Sequence, residues 1–509
     1  MVQTFHFASA TAPWHTEANL LVRHENGASW RIPLFWRGEK RWSARLFAPF
    51  AGRYSAEVDA ASFEPRSFEF TIDAPKPPSP RPLAIEGDHF TAGGRPRFFL
   101  ADTWWMGLSR LKEDEFALLA QDRAKKGFNA IQLVAGLYPD MDAFDPRGRS
   151  EAGFAWSEGF GAINPAFFDL ADRRIETLLS LGLTPVIFGM WGYHALAMGE
   201  ENARRHWRHI VARWSAYPVV WVLAGEVSMP WYLSPNRDRD HEELKRLWSR
   251  IGAYVRSIDP YQRLLSAHPI HLAHRELADA SLLDFEMIQA SHGGKRSIKS
   301  GVESVKIARK EWGEGPIVMD EINYEGILGR VDAKLVRHSF WTSFLCGAKG
   351  FGYGANGIWQ VNRKGAPYGK SPGGNQWGDT PWDEAMEFAG GEQVARAVRW
   401  ISGLAWHDFA PMCDTLSIQG HEGRIDAPFC AGITDRLRLI YCANGSFLRR
   451  LRRLRVGHLA PFARYSLTHF DPATGKLESL GTLRANRHGV VALPRLRFKD
   501  DWALLLKKV

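Results

Sequence analysis

Residues 165–192, PAFFDLADRRIETLLSLGLTPVIFGMWG, contain the pattern that decides the fold. Apolar residues recur with helical spacing up to Leu181, and an apolar run then extends from residue 184 to residue 191. The first pattern predicts an amphipathic helix, and the second predicts a strand buried on both faces. A helix followed by such a strand is typical of an α/β protein with a parallel sheet covered by helices.

The same alternation of strand and helix extends over residues 85–400 and predicts eight strands. Eight strand and helix units in about 300 residues favour a (β/α)8 TIM barrel over an open sheet. The predicted strands are 98–104, 129–134, 184–191, 219–226, 264–268, 283–289, 317–322 and 350–354.

Both ends of the chain show short apolar segments separated by turn residues, without helical periodicity. This pattern predicts an N-terminal and a C-terminal β-sandwich flanking the barrel. A proline-rich stretch, PKPPSPRP at 75–82, is typical of a stiff linker. We therefore predict three domains, a β-sandwich over 1–78, the catalytic barrel over 83–402 and a second β-sandwich over 405–509.

Composition excludes a disordered, a fibrous or a transmembrane protein. With 45% hydrophobic and 24% charged residues, the 509-residue chain resembles ordinary globular proteins. No apolar run reaches the roughly 18 residues that a membrane span needs, and the first residues lack the pattern of a secretory signal. Four cysteines do not form a disulfide framework. We therefore expect a cytoplasmic protein that does not bind a membrane.

Charge and aromatic content suggest which ligands to consider. The net charge is +9, and the clearest basic cluster is Arg449, Arg450, Arg452, Arg453 and Arg455. We interpret this cluster as a solvated face and expect no nucleic-acid partner, with polyanion binding as the alternative. The 21 Trp residues suit flat, amphipathic ligands such as sugar rings. The sequence carries no signal for the oligomeric state.

Carboxylates end two of the predicted barrel strands. The fourth strand ends in Glu226, and the seventh ends in Asp320 and Glu321. Active sites of TIM barrels lie at the carboxyl ends of the strands, so these side chains are expected to meet across the barrel mouth. Glycoside hydrolysis needs one acid to protonate the leaving oxygen and one carboxylate at the anomeric carbon. We predict Glu226 as acid/base and Glu321 as nucleophile, with retention of configuration and carboxyl groups about 5–5.5 Å apart.

Other polar and aromatic residues near the strand ends are predicted to bind the substrate, by stacking on the sugar ring or by hydrogen-bonding its hydroxyls. Asp102 has an alternative interpretation, in which it orients a neighbouring residue. The predicted substrate-binding residues are Asp102, Trp104, Trp105, Asn129, Gln132, Trp191, His268, Gln289, His292, Tyr324, Tyr353, Asn356 and Trp359.

No cofactor or metal is predicted. The chain has no GxGxxG motif after a strand and no GxxxxGK[ST] motif, so nucleotide binding has no support. The triplet His268, His271 and His274 lacks the HExxH spacing, and Pro269 interrupts any helix. We interpret these histidines as loop residues.

At these residues the sequence resembles a known group, the DUF4038-type glycoside hydrolases that include the apiosidase-like family. The resemblance covers residues 85–400 and rests on blocks that occur in the family's order. The N-terminal region is similar to the DUF5060-like domain, and the last hundred residues are similar to a collagen-binding-type sandwich domain. The blocks are FFLADTWWMGLSRL, DRAKKGFNAIQ, PAFFDLADRRIETLLSLGLTPVIFGMWG, VVWVLAGE, LDFEMIQASHG, MDEINYEG and YGANGIWQ.

The resemblance implies a retaining barrel hydrolase with Glu321 as nucleophile and Glu226 as acid/base. It also implies that Tyr324 and Glu325, in the same block as Glu321, buttress the site. The chain departs from the family pattern at the end of the fourth-strand block. That block ends Gly-Gly-Asp in the family, whereas this chain has Ala224, Gly225 and Glu226, and Glu is one methylene longer than Asp.

These observations predict an exo-acting, apiosidase-like glycosidase of small oligosaccharides or glycosides. One alternative is a glycosidase of other specificity, such as a β-galactosidase-like or mannanase-like enzyme. Another is a carbohydrate-binding protein without catalysis, in which both carboxylates are structural.

Overall fold

The computed structural model describes residues 2–74, 77–313, 315–417, 424–445, 454–494, 496 and 498–509. Three regions follow one another along the chain. Antiparallel sheets occupy the N-terminal and C-terminal regions, and a parallel eight-stranded ring with its helices lies between them.

Seven strands form the N-terminal region, in sheets of order β1-β5-β4 and β3-β2-β6-β7. Side chains of both sheets share one core, which includes Phe7, Leu20, Trp42 and Val58. The strands are β1 (Val2–Ala8), β2 (Asn19–His24), β3 (Ser29–Pro33), β4 (Phe35–Trp36), β5 (Arg41–Phe47), β6 (Gly52–Val58) and β7 (Ser67–Ile72).

A short antiparallel sheet precedes the barrel and covers its amino end. It consists of β8 (Leu83–Glu86), β9 (His89–Ala92) and β10 (Arg95–Pro96). Phe90 is fully buried there and packs on Phe99 and Phe285, with ring centroids 5.5 and 5.3 Å away. Because this end is filled by aromatic side chains, the opposite end is the one that can hold a ligand.

The barrel prediction is confirmed. Eight parallel strands pair in the order β15-β14-β13-β12-β11-β18-β17-β16, and each lies inside a segment predicted from the sequence. Between β15 and β16 the ring is joined by single bonds, such as Asp284 N to Leu265 O at 2.8 Å. The strands are β11 (Phe99–Thr103), β12 (Ala130–Val134), β13 (Thr184–Phe188), β14 (Val220–Val222), β15 (Leu265–Ser266), β16 (Glu286–Gln289), β17 (Ile317–Glu321) and β18 (Gly350–Tyr353).

Helices follow seven of the eight barrel strands, and 3-10 turns follow β15. The helix predicted from PAFFDLADRRIETLLS begins at Pro165, where the Asn164 side chain accepts a hydrogen bond from Ala166 N. The helices are α1 (Glu113–Lys126), α2 (Pro165–Ser180), α3 (His194–Trp214), α4 (Arg237–Ile258), α5 (Lys295–Glu311), α6 (Ala333–Cys346), α7 (Trp382–Ala385) and α8 (Ala389–Ser402).

The C-terminal region contains a six-stranded antiparallel sheet of order β19-β20-β21-β26-β23-β24 and the pair β22-β25. We keep the divisions 1–78, 83–402 and 405–509 as a proposal for the domain boundaries. The strands are β19 (Ala410–Pro411), β20 (Phe429–Ile433), β21 (Leu437–Cys442), β22 (Arg455–Val456), β23 (Arg464–Phe470), β24 (Leu477–Arg484), β25 (Val491–Ala492) and β26 (Trp502–Lys508).

Buried ion pairs join both flanking regions to the barrel. Arg45 of β5 contacts Asp172 of α2 at 2.5 Å. Arg337 of α6 donates to both carboxylate oxygens of Asp501, at 2.9 and 2.6 Å. Asp501 also accepts a hydrogen bond from Tyr441. Since these charges are removed from water, each depends on its partner across the contact.

Candidate active site

Two glutamates that end or follow non-adjacent barrel strands share one amide group. Gln289 Nε2, at the end of β16, lies 3.2 Å from Glu226 Oε1 and 3.1 Å from Glu321 Oε1. Because both distances end on the same nitrogen, the two carboxylate oxygens are at most their sum, about 6.3 Å, apart. The predicted pair therefore meets at the carboxyl end of the barrel.

Glu226 is positioned by a tryptophan that packs against a glycine. A Cβ on Gly225 would lie 2.2 Å from the Trp191 ring, so only glycine admits this ring. The Trp191 indole Nε1 then donates to Glu226 Oε2 at 3.1 Å. Glu226 itself has a φ of 41°, a left-handed conformation that is uncommon for a side-chain-bearing residue. Local strain of this kind is frequent at functional sites.

The environment of Glu226 favours its protonated form. Burial, reinforced by the nearby charge of Glu321, raises the pKa of Glu226 to about 7. Hydrogen bonds from Gln289 and Trp191 act in the opposite direction and are outweighed. Glu226 is therefore a carboxylic acid that can carry a proton near neutral pH.

Glu321, the last residue of β17, is surrounded by hydrogen-bond donors. The Tyr324 hydroxyl donates to Oε2 at 2.9 Å, and His292 Nε2 lies 3.0 Å from Oε1. The backbone N–H of Tyr324 is 3.2 Å from His292 Nδ1, which must accept it. The proton of a neutral His292 therefore sits on Nε2 and points at Glu321.

These contacts keep Glu321 ionised. Burial alone would raise its pKa, but His268 and His292 outweigh burial and hold the pKa of Glu321 well below its usual range. His268 Nε2 lies 3.4 Å from Glu321 Oε2. Near neutral pH Glu321 is therefore ionised while Glu226 can carry a proton, although one amide bridges them.

A third acid, Asp320, lies inside the barrel beneath this pair. Its side chain is fully buried, the Gln132 amide donates to Oδ1, and His268 Nε2 lies 3.5 Å from Oδ2. Burial raises the pKa of Asp320 to about 7. Gln132 and His268 therefore support the site from below and do not face the opening.

A cavity of about 430 Å³ opens above the two glutamates. Eight residues predicted from the sequence line it, and most of the others on its wall come from the loops that follow the strands. The predicted residues on the wall are Trp105, Trp191, Glu226, Gln289, His292, Glu321, Tyr324 and Trp359.

Seven predicted residues are not on the wall of this cavity. Besides Gln132 and His268, they include Asp102, whose Oδ2 accepts hydrogen bonds from Arg123 at 2.5 Å and from Trp104 at 2.8 Å. Trp104 packs its ring on Phe116 of α1. Both side chains therefore lie between strand and helix, and Asp102 orients its neighbours, which is the alternative interpretation.

The remaining three residues are engaged by the protein itself. Asn129 precedes β12, at the amino end of the barrel, and bonds the backbone of Leu100 and Phe98. Tyr353 donates to Glu325 Oε2 at 2.7 Å, so Glu325 lies away from the cavity, unlike Tyr324. Asn356 donates to Gln360 and to the Trp377 carbonyl. The structure therefore does not bring these side chains to the opening.

The sequence interpretation missed the loop residues of the wall, among them Asp140, Tyr232 and Trp377. Trp377 Nε1 donates to Asp140 Oδ2 at 2.9 Å and joins the loops after β12 and β18. Burial raises the pKa of Asp140. The available signal was the set of aromatic and acidic residues in segments that follow barrel strands, such as Tyr138–Asp140.

Within the described residues, no group of three His, Cys, Asp or Glu side chains could hold a metal ion. His274, from the histidine triplet, lies 3.1 Å from both Glu286 and Glu311. Of the five arginines in the basic cluster, only Arg455 is among the described residues. None of the described helices is long and apolar enough to cross a membrane.

A parallel barrel with two carboxylates meeting at its carboxyl end is an architecture that glycoside hydrolases use. The family model described as "Apiosidase-like, catalytic domain" matches residues 86–408. The chain belongs to this apiosidase-like family of glycoside hydrolases, and the resemblance stated from the sequence is confirmed for the barrel. No curated protein gives a significant match to the chain.

Solved structures show the same fold at low identity. A glycoside hydrolase family 5 structure from Bacteroides vulgatus is 20% identical, with a TM-score of 0.68 over 84% of this chain and 93% of that one. A candidate glycoside hydrolase from the same organism is 18% identical, with a TM-score of 0.69 over 100% of this chain and 98% of that one.

Proposed function

We propose that this glycoside hydrolase is a retaining, exo-acting enzyme with Glu226 as acid/base and Glu321 as nucleophile. One observation carries the proposal: Gln289 bridges two carboxyl groups whose pKa values are displaced in opposite directions. Pairs of titratable groups with divergent pKa values are the usual basis for dividing acid and base roles.

The separation of the carboxyl groups supports retention of configuration. Carboxyl groups lie about 5–5.5 Å apart in retaining enzymes and about 6.5–9.5 Å apart in inverting ones, and here the shared amide holds one oxygen of each carboxyl group within about 6.3 Å of the other. In the proposed first step, Glu321 attacks the anomeric carbon while Glu226 gives its proton to the leaving oxygen. In the second step Glu226 takes a proton from water, and that water releases the sugar from Glu321.

The cavity wall supplies groups for binding the sugar ring at this centre. Trp105 and Trp191 offer aromatic faces, and the indole N–H of Trp359 has no hydrogen-bond acceptor among the described residues. Gln289 Oε1, a buried atom, is likewise without a donor among the described residues. We assign the cleaved sugar to this part of the cavity.

Exo action is supported by the loop contact that crosses the wall. Trp377 holds Asp140 through its indole nitrogen, and its ring centroid is 6.5 Å from that of His292. Loops after β12, β16 and β18 therefore meet at one residue. A chain continuing past the cleaved sugar in this direction would meet Trp377.

The test is hydrolysis of a panel of aryl glycosides, including the β-D-apiofuranoside and common pyranosides, by the wild type, Glu226→Gln and Glu321→Gln. We expect turnover of one member, its loss in Glu321→Gln, and product of unchanged anomeric configuration by NMR. Glu384→Gln, an exposed glutamate of α7, is the matched control. Inverted product would refute the retaining mechanism, and sugar binding without turnover would favour the non-catalytic alternative.

A further inference from the structure

A second cavity, of about 730 Å³, lies beside the catalytic cavity. We call it the side pocket. Its wall is mainly aromatic and aliphatic, and its volume is in the range that holds small organic ligands. The large apolar side chains on this wall are Phe144, Phe160, Tyr193, Leu196, Trp231 and Leu233.

The loops after β12, β13 and β14 line both cavities. Trp191 faces the catalytic cavity and Tyr193 faces the side pocket, while Tyr232 and Trp231 are divided in the same way. Between the cavities, the Tyr193 ring centroid lies 5.7 Å from that of Tyr232 and 4.9 Å from that of Trp231. Aromatic rings therefore line the boundary along which the two cavities adjoin.

The side pocket lies on the acid side of the catalytic pair. Tyr193 and Trp231 come from the loops after β13 and β14, and Glu226 lies in the same loop as Trp231. The acid of a retaining hydrolase protonates the leaving oxygen, so the leaving group extends from the cleaved bond toward that residue. On the proposed function, on which this inference rests, the side pocket is where the leaving group projects.

Exposed apolar groups mark the wall of the side pocket. Leu233 is 64% exposed and Leu196 is 37% exposed, which places two large aliphatic side chains in contact with water. Exposed apolar clusters of this kind commonly mark binding sites. A ligand covering them would remove apolar surface from water and gain affinity.

The charged groups on the wall of the side pocket favour an uncharged ligand over an anion. Asp142, Asp145 and Asp240 lie on its wall, and the described lining residues include no Lys or Arg. His194 adds no positive charge near neutral pH, because burial lowers its pKa to about 4. Arg147 lies 2.7 Å from Asp145 and Arg239 lies 3.3 Å from Asp240, so two of these carboxylates have a cationic partner. Asp142, and a described lining without Lys or Arg, still disfavour a negatively charged leaving group.

We propose that the side pocket binds an apolar, uncharged aglycone, so that the substrates are glycosides of hydrophobic alcohols. Sugar leaving groups would use the pocket less well, because hydroxyl groups placed against Leu196 and Leu233 would lose hydration without gaining partners.

Binding of 1-naphthol, a neutral apolar alcohol, tests the pocket without catalysis. We expect titration calorimetry to show binding to the wild type and to Glu321→Gln with equal affinity, and about tenfold weaker binding to Leu233→Asp and Trp231→Ala. Leu233 is exposed, so its variant should fold normally. Leu477→Asp, 51% exposed on β24, is the matched control. The anion 1-naphthoate should bind at least about tenfold more weakly than 1-naphthol.

A kinetic comparison completes the test and separates it from the proposed function. For the sugar identified by the panel, Leu233→Asp should lower kcat/KM for the naphthyl glycoside about tenfold and leave the methyl glycoside unchanged. Equal binding of 1-naphthol to the wild type and Leu233→Asp, or a preference for a disaccharide over the naphthyl glycoside, would refute the inference. If the wild type hydrolyses no glycoside of the panel but still binds 1-naphthol, the proposed function alone is refuted.

Discussion

The indole Nε1 of Trp191 lies 3.1 Å from Glu226 Oε2, and the same ring packs on the bare backbone of Gly225. This contact stabilises the ionised form of Glu226, because a hydrogen bond donated to a carboxylate lowers its pKa. The tryptophan therefore limits the extent to which burial can raise the pKa of the proposed acid.

Replacing Trp191 with Phe should move the alkaline limb of the pH profile upward. In the wild type, kcat/KM should fall as the pH rises through about 7, since Glu226 must be protonated. The variant keeps the ring but loses the donor, so the pKa of Glu226 rises and activity persists to higher pH. The measurement is kcat/KM against pH, with Trp36→Phe in the N-terminal region as control. An unchanged alkaline limb would contradict the assignment of Glu226.

Replacing His292 with Leu should move the acid limb of the same profile upward. His292 donates to Glu321 and lowers its pKa, and the proposed nucleophile must be ionised. Without this donor the pKa of Glu321 rises, so activity is lost at a higher pH during acidification. The exposed His488→Leu variant should show the wild-type acid limb. A shift confined to the alkaline limb would indicate that His292 acts on Glu226 instead.

Glu226→Gln should discriminate between good and poor leaving groups. General acid catalysis is worth about 10²–10⁴-fold, and this loss is expected in full for an alkyl glycoside. A dinitrophenyl glycoside needs little protonation, so formation of the glycosyl-enzyme should be much less affected. Pre-steady-state release of dinitrophenol checks this difference. Equal losses for both substrates would assign Glu226 another role.

Trp377→Phe should weaken sugar binding by releasing Asp140. The variant loses the 2.9 Å hydrogen bond between the loops after β12 and β18 but keeps an aromatic ring. We expect a rise in KM with a smaller change in kcat, together with detectable internal cleavage of longer substrates. Product sizes from an oligosaccharide series provide the readout. If KM is unchanged and the substrates are cleaved only at their ends, Trp377 does not have the proposed role.

Asp501→Asn should destabilise the contact between the C-terminal sheet and the barrel. Asp501 is buried and receives two hydrogen bonds from Arg337, so neutralising it leaves a buried cation without its partner. Breaking such a pair typically costs about 3–5 kcal/mol. Scanning calorimetry should show the first unfolding transition of Asp501→Asn at a lower temperature than that of the wild type. Arg31→Met, which removes an exposed ion pair, should change this temperature little. A transition unchanged in Asp501→Asn would show that apolar packing holds this contact.

The architecture was accessible from the sequence because its signals are local. Buried runs such as 184–191 and 317–322 each contain the observed strand, and Asn164 with Pro165 marks the start of α2. The two glutamates at the ends of the fourth and seventh predicted strands were identified by the same count of elements. These features depend on hydrophobic periodicity and on where a strand ends.

Residues placed by strand position alone were harder to predict. Alternation along a strand decides which face a side chain occupies, but it does not say which face is the barrel interior and which is covered by helices. Asp102 and Tyr353 both sit near strand ends, but their side chains lie outside the barrel interior. Asp102 contacts Arg123, and Tyr353 contacts Glu325. Gln132 faces inward but lies one layer below the opening, where it holds Asp320.

The sequence by itself determined the barrel, its strand count and the two glutamates, because periodicity and strand ends are properties of short segments. Only the tertiary structure decided the opposite pKa displacements of Glu226 and Glu321, since these depend on burial and on donors from four different loops. It also decided that Trp377 meets Asp140 across 237 positions of chain. Contacts of that kind arise when the ring of strands closes, which brings together loops that no local pattern connects.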